Sequence, residues 1–164
     1  MGNFPDFTQY AEQVADAARW AARKGWAPAT STNYSVRLPA EAAPAICAIT
    51  ASGLDKDRLG ADSVIAIDKA GLPMNGNGLR PSAETPLHLM LYRRPDIGAV
   101  LHTHSVWGTL LSNWFAADGH VEISGYEMLK GLEGLTTHLS STRVKIFENT
   151  QDMTELSEQV RAWL

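Results

Sequence analysis

The sequence predicts an α/β protein in which helices cover a mixed or antiparallel sheet. Two observations predict it. Three short strand candidates, "YSVRL" (34–38), "AICAIT" (45–50) and "SVIAID" (63–68), follow one another with only turn residues between them, and helices alternate with strands only later in the chain. No G-x-G-x-x-G or Walker pattern follows any strand, which argues against a doubly wound parallel sheet; "GNG" at 76–78 is a loop cluster and a weak signal.

A chain of 164 residues suits one domain, 1–164, with a substantial core. The formal charge of −4 and the scattered cations give no general reason to bind nucleic acid or an anionic membrane. No apolar stretch approaches the roughly 20 residues needed to span a bilayer. The start, "MGNFPDFTQY", has no basic segment leading into an apolar one, so no signal peptide is expected, and Asp6 spoils a myristoylation motif. Cys47 is the one cysteine and sits in a strand-like run, which predicts a buried, inert thiol and a cytoplasmic protein.

Taken in order, residues 6–25 read as a helix. Phe7, Ala11, Val14, Ala15, Ala18 and Ala22 share one face, Asp6 with Gln9 resembles a capping box, and Gly25 suits the C′ position. The three strand candidates follow, and "DKAG" (68–71) predicts a hairpin turn after the third. Ser82 can cap a helix over 83–94 with Leu87, Met90 and Leu91 inward. Residues 99–104 form a strand, and Ser105 caps a helix through Phe115. A strand at 120–124, a short helix at 126–132 and a strand at 143–147 come next. The tail, 152–164, is a helix with a capping box of Asp152 and Glu155 and a stripe of Met153, Leu156, Val160 and Trp163.

The stretch "GAVLHTHSVWG" (98–108) carries the chemistry. Side chains two apart on a strand share a face, so His102 and His104 stand side by side, about 6–7 Å apart at Cα. Two such rings can lean together onto a zinc ion; the alternative is a pair of hydrogen-bonded histidines at a polar strand end. Catalytic zinc sites normally show three protein ligands, and His88, His120 and His138 form no second motif of this kind. Glu84 in "RPSAETPLH" either complements a helix N-terminus or serves the histidines. Glu127 in "GYEMLKG" is either an acid/base group or a charge at a helix start. The loops "TSTN" (30–33) and "TASG" (50–53) are rich in hydroxyl and amide groups, which make turns and can also cradle a phosphate.

In order, "PATSTNYSVRL", "ITASGLDKDRL", "RPSAETPLHLMLY", "GAVLHTHS", "GYEMLKGLEGLTTH" and "IFENTQDMTEL" run through nearly the whole chain. Together they resemble the class II aldolase/adducin-type family, and "GYEMLKG" and "NTQDM" point to its dehydratases more than to its sugar-phosphate aldolases. The resemblance implies a three-layer α/β/α sandwich with a mainly antiparallel central sheet. It implies one Zn2+ per subunit, a homotetramer and a small phosphorylated ketose as substrate, dehydrated in methionine salvage. On the matching positions it implies His102 and His104 as metal ligands and Glu127 as the dehydratase acid/base residue. Glu84 stands where aldolase relatives carry an acid/base glutamate, and Asn33, Ser52, Gly53 and Ser82 match the phosphate loops. The alternatives are an aldolase or epimerase on another sugar phosphate, with Glu84 in charge, or a non-catalytic adducin-like module.

Two departures from the family pattern stand out. Thr32 occupies the place of a glycine before the loop asparagine; if that position needs a positive φ, a β-branched residue strains it. The family's third metal histidine belongs to a His-Gly segment, and no His-Gly pair occurs here, so the sequence reads as truncated at its C-terminus.

Overall fold

A four-stranded sheet is the frame on which every other element of the larger unit is hung. The computed structural model describes residues 7–74 and 78–164, so the expected cap at Asp6 and most of the "GNG" cluster lie outside the described residues. The chain divides into two compact units: Met1–Ser105 with Thr150–Leu164, and Val106–Asn149.

In the larger unit β1 (Asn33–Arg37), β2 (Ala45–Thr50), β3 (Val64–Asp68) and β4 (Ala99–His102) pair in the order β3-β2-β1-β4, and every pairing is antiparallel. The two faces divide the core by residue parity, as the pleat requires. On one face α1 (Phe7–Arg23) packs Ala11, Val14, Ala15 and Ala18 against Tyr34, Ala48, Val64 and Ala66. On the other face Cys47, Ile49, Ile65 and Ile67 meet Leu89 and Tyr92, from α2 (Thr85–Leu91) and its C-terminal end. The last helix, α4 (Met153–Trp163), packs on α2. Helix, sheet and helix therefore form the three layers expected. Full burial of each isoleucine contributes roughly 1.5–3 kcal/mol.

Local chemistry explains the element ends. At the end of α1 Gly25 takes φ +72°, the Gly25 N–H donates to the Ala22 carbonyl at 2.8 Å and the Trp26 N–H to that of Ala21 at 2.9 Å. That is a Schellman closure, which glycine enters without steric cost. Trp26 then meets the Trp20 ring edge-on, with centroids 5.1 Å apart. After β3, Asp68 Oδ1 accepts from the Ala70 and Leu72 N–H groups, making the expected turn; its return strand shrinks to a single bridge, Ile67 to Pro73.

Three expectations shift. The helix predicted over 83–94 is only Thr85–Leu91, because Ser82 Oγ accepts from the Glu84 N–H at 3.2 Å and holds 82–84 as a turn before the helix. Its most buried residue is His88, followed by Thr85 and Met90, while Leu87 and Leu91 are only half-buried. The histidine strand stops at His102, the last residue paired to β1, and Leu101 on this edge strand is exposed. In α4 Asp152 accepts from the Thr154 and Glu155 N–H groups, but its own N–H goes to Thr150 Oγ1 and Glu155 turns to Gln159, so the box is half formed. Ser157, not Trp163, is buried there.

β1 carries a polar stripe inward. Asn33, Ser35 and Arg37 lie on the α2 face, and the spacing of two that would ordinarily solvate a strand here builds a buried polar seam. Arg37 donates to the carbonyls of Tyr92 and Ile97, each at 2.8 Å, and of Arg94 at 2.6 Å, with its guanidinium 4.9 Å from the Tyr92 ring centroid. These bonds take up carbonyls left over at and beyond the end of α2.

The smaller unit holds α3 (Val106–Trp114), the hairpin of β5 (His120–Ser124) and β6 (Ser141–Lys145), and a 3-10 turn at Glu127–Gly131. β6 begins two residues earlier than "RVKIF" predicts, because Ser141 and Thr142 pair with Ser124 and Ile123. Arg143 meets Glu122 directly across the hairpin at 3.2 Å. Among the described residues no helix is long and apolar enough to cross a membrane.

Candidate active site

Asn33 begins β1 and is the register partner of His102 on β4, so the sheet itself sets the two side by side. Two residues on, the His104 N–H donates to the Trp26 carbonyl at 2.8 Å. The turn that ends α1 therefore fixes the second histidine beyond the strand. The two imidazoles lie 4.8 Å apart between centroids and are tilted by 50°, as the i, i+2 spacing predicts.

Glu84, just before α2, reaches the first ring: its Oε2 lies 3.0 Å from His102 Nδ1. The same oxygen accepts from Asn33 Nδ2, which also reaches Ser82 Oγ at 3.0 Å. The His102 hydrogen bond, helped by the charges of His102 and His104 and by Asn33, holds the Glu84 carboxyl down to about 2 against the opposing effect of burial. Glu84 is therefore an anion at neutral pH, and His102 must present Nδ1–H to it. That leaves His102 Nε2 as the lone-pair nitrogen. Desolvation, and then His102, push the His104 imidazole down, toward its neutral form.

The loops close on the same place. A cavity of about 270 Å3 is lined by Asn33, Ser52, Gly53, Ser82, Glu84 and His104 among others. Ser52 is tied to the loop before α2 by its N–H, 2.9 Å from the Arg80 carbonyl. Gly53 adopts φ +77° and has open space where a Cβ would stand. None of the described lining residues is Lys or Arg, so an anion there meets neutral donors and, on one side, the Glu84 carboxylate. Thr32, next to Asn33, has φ +74°, the strained conformation its position suggested.

Glu127 belongs to the smaller unit. There it pairs with Lys130 and lies 3.0 Å from His138 Nδ1, and its side chain is two-thirds exposed.

The donor types fit a borderline metal ion: two imidazoles, one oriented by a carboxylate behind it. Among the described residues, however, no three His, Cys, Asp or Glu side chains gather as a ligand group. Two residues of the site escaped the sequence reading. His88 is four residues after Glu84, a spacing that puts both on one helix face and could have revealed it. Lys56 is fully buried and its Nζ donates to the carbonyls of Thr30 at 3.1 Å and Leu54 at 2.8 Å, stapling the loop at 30–33 to the residue that follows the loop at 50–53. Nothing in "LDKDRL" signals that.

Comparison with known proteins shows the family. The family model for the class II aldolase and adducin N-terminal domain matches residues 12–164. The methylthioribulose-1-phosphate dehydratase of Pseudomonas fluorescens strain Pf0-1 is 47% identical over 157 residues, covering 95% of this chain and 73% of that protein. Among solved structures, an aldolase II superfamily protein from Pseudomonas syringae superposes with TM-score 0.59 at 31% identity, over 66% of this chain and 43% of that one. The matched part thus spans less than half the length of that structure. L-fuculose-1-phosphate aldolase from Thermus thermophilus shares the fold over 95% of this chain and 69% of its own, with TM-score 0.61 at 22% identity.

Proposed function

We propose that this chain, which belongs to the class II aldolase and adducin family, dehydrates 5-methylthioribulose 1-phosphate to the 2,3-diketo-5-methylthiopentyl 1-phosphate, a step of methionine salvage. The observation that carries the reading is the cavity in which Asn33, Ser52, Gly53 and Ser82 meet Glu84 and His104. The dehydratase name of a relative 47% identical supports the choice of substrate.

Ser52, Gly53 and Ser82 bind the phosphate through neutral donors and so fix the reacting carbons, while Asn33, whose amide N–H groups serve Ser82 and Glu84, shapes the phosphate loop. His102 and His104 would hold one Zn2+ per subunit, His102 through Nε2, and when bound the ion would supply Lewis-acid polarisation of the substrate ketone. Loss of water needs a base for the C3 proton and an acid for the departing C4 hydroxyl. We assign both proton transfers to Glu127. Glu84 is a poor proton donor while its carboxyl is held near 2, and its part is to orient His102. The working form is a homotetramer, for which the exposed apolar residues Trp107 and Trp114 of α3 offer surface.

One observation favours a second reading: Glu84 itself lines the cavity, as a sugar-phosphate aldolase or epimerase would require. Supplying the zinc-loaded protein with 5-methylthioribulose 1-phosphate separates the two. A diketone product, lost in Glu127→Gln with zinc retained, supports dehydration. Release of an aldehyde fragment, or full dehydration by the variant, overturns it.

A further inference from the structure

The polar seam beneath α2 has a direction. Asn33 Nδ2 faces the Glu84 carboxylate, which can only accept, so Asn33 Oδ1 must face the other way, toward His88 Nε2. An amide oxygen cannot donate, so His88 carries its proton on Nε2. Its Nδ1 is then an acceptor for the Ser35 hydroxyl, 2.7 Å away, and Ser35 Oγ in turn accepts from the Tyr92 hydroxyl, also at 2.7 Å. His88, Asn33 and Ser35 are all nearly fully buried, so no water competes for these groups. Burial also holds the His88 imidazole down to about 4, which keeps it the neutral donor–acceptor the chain of bonds needs.

We propose that His88 is a positioning residue, whose Nε2–H locks the Asn33 carboxamide so that Asn33 and His102 converge on one oxygen of Glu84 and His102 keeps its Nδ1–H tautomer. Remove that donor and the Asn33 amide is free to turn over. Its buried oxygen, left without a donor, would draw the amide off the carboxylate, which would lose one of the bonds that fix it against His102. The effect reaches the cavity from a side chain that does not line it. The inference rests on the proposed metal role of His102 only for its consequence in zinc affinity; the bond directions stand without it.

The test combines two readouts on the whole chain. Long-range 1H–15N spectra of the metal-free protein report the tautomer of each histidine. Zn2+ titration against a chelating dye reports affinity. In the native sequence His88 shows Nε2–H and His102 shows Nδ1–H; the opposite tautomer of His88 overturns the proposal. His88→Phe removes the donor, while His88→Gln restores an N–H near the Nε2 position. The phenylalanine variant is expected to lose the His102 Nδ1–H signature and roughly 10–100-fold in zinc affinity, the range for loss of an orienting outer group, with glutamine recovering most of both. An unchanged His102 tautomer in a folded His88→Phe protein overturns the proposal. If the phenylalanine variant does not fold, the native spectrum and the glutamine variant decide. If the native protein binds no zinc, the metal role of His102 fails and the tautomer readout alone decides the role of His88.

Discussion

Glu84 Oε2 and His102 Nδ1 lie 3.0 Å apart, although one residue precedes α2 and the other ends β4. The contact exists because Asn33, register partner of His102, also holds the carboxylate. A carboxylate behind a ligating histidine fixes its tautomer and raises its basicity.

Glu84→Gln tests that relationship directly. The amide cannot supply the anion that selects Nδ1–H, so zinc affinity is expected to fall by roughly tenfold or more. Dye-competition titration measures it, and an affinity equal to that of the native chain would contradict the role given to Glu84.

Thr32→Gly is expected to stabilise the fold. Threonine at φ +74° is strained, by about 1–3 kcal/mol, and glycine returns part of the gain through its freer unfolded state. A net gain of about 1 kcal/mol should appear in urea unfolding. A loss of stability would show that the buried Thr32 side chain contributes more than its backbone costs.

Arg37→Met strips three carbonyls of their donor at the end of α2. Water can reach some of that exposed loop, so the expected cost is about 2 kcal/mol, with lysine recovering less than half because it lacks the planar fork. Thermal melts of both variants check the order.

Stability should fall with acidity in a window set by His88. Its imidazole is held to about 4 by burial first and by His102 second, against an ordinary 6.5. The unfolded chain therefore takes up a proton below about pH 6.5 that the folded chain refuses until about pH 4. This contribution is complete above the higher value and lost as the pH drops through the lower one. Urea unfolding at about pH 7 and about pH 4.5 measures it, and His88→Gln, which does not titrate, should show a shallower decline. The same decline in both would assign the effect to other groups.

Much of the fold was legible because it rests on periodicity. The α1 stripe, the three successive strands and the capping aspartate of α4 all follow from spacing, and Cys47 is as buried as its strand suggested, with burial pushing its thiol up to about 12. The pairing of His102 with His104 was legible for the same reason. What escaped depends on tertiary partners. Ser82 looks like a helix cap, yet its hydroxyl serves a turn and Asn33 instead. His88 looks like an isolated polar residue on an apolar helix until β1 supplies Asn33 and Ser35 beneath it. Lys56 looks solvated until two loops bring their carbonyls to its ammonium group.

The central place of β1 has a kinetic consequence. Asn33 meets His102 only through the β1–β4 pairing, whose partners are far apart in the chain. Closing so long a loop is slow and entropically costly, whereas β1, β2 and β3 can zip up from neighbouring turns. On the proposed roles of His102 and His104, cation capture would thus come late in folding: a nascent or partly collapsed chain lacks the docked edge strand, and an ion held there would reward the finished sheet but could not nucleate it.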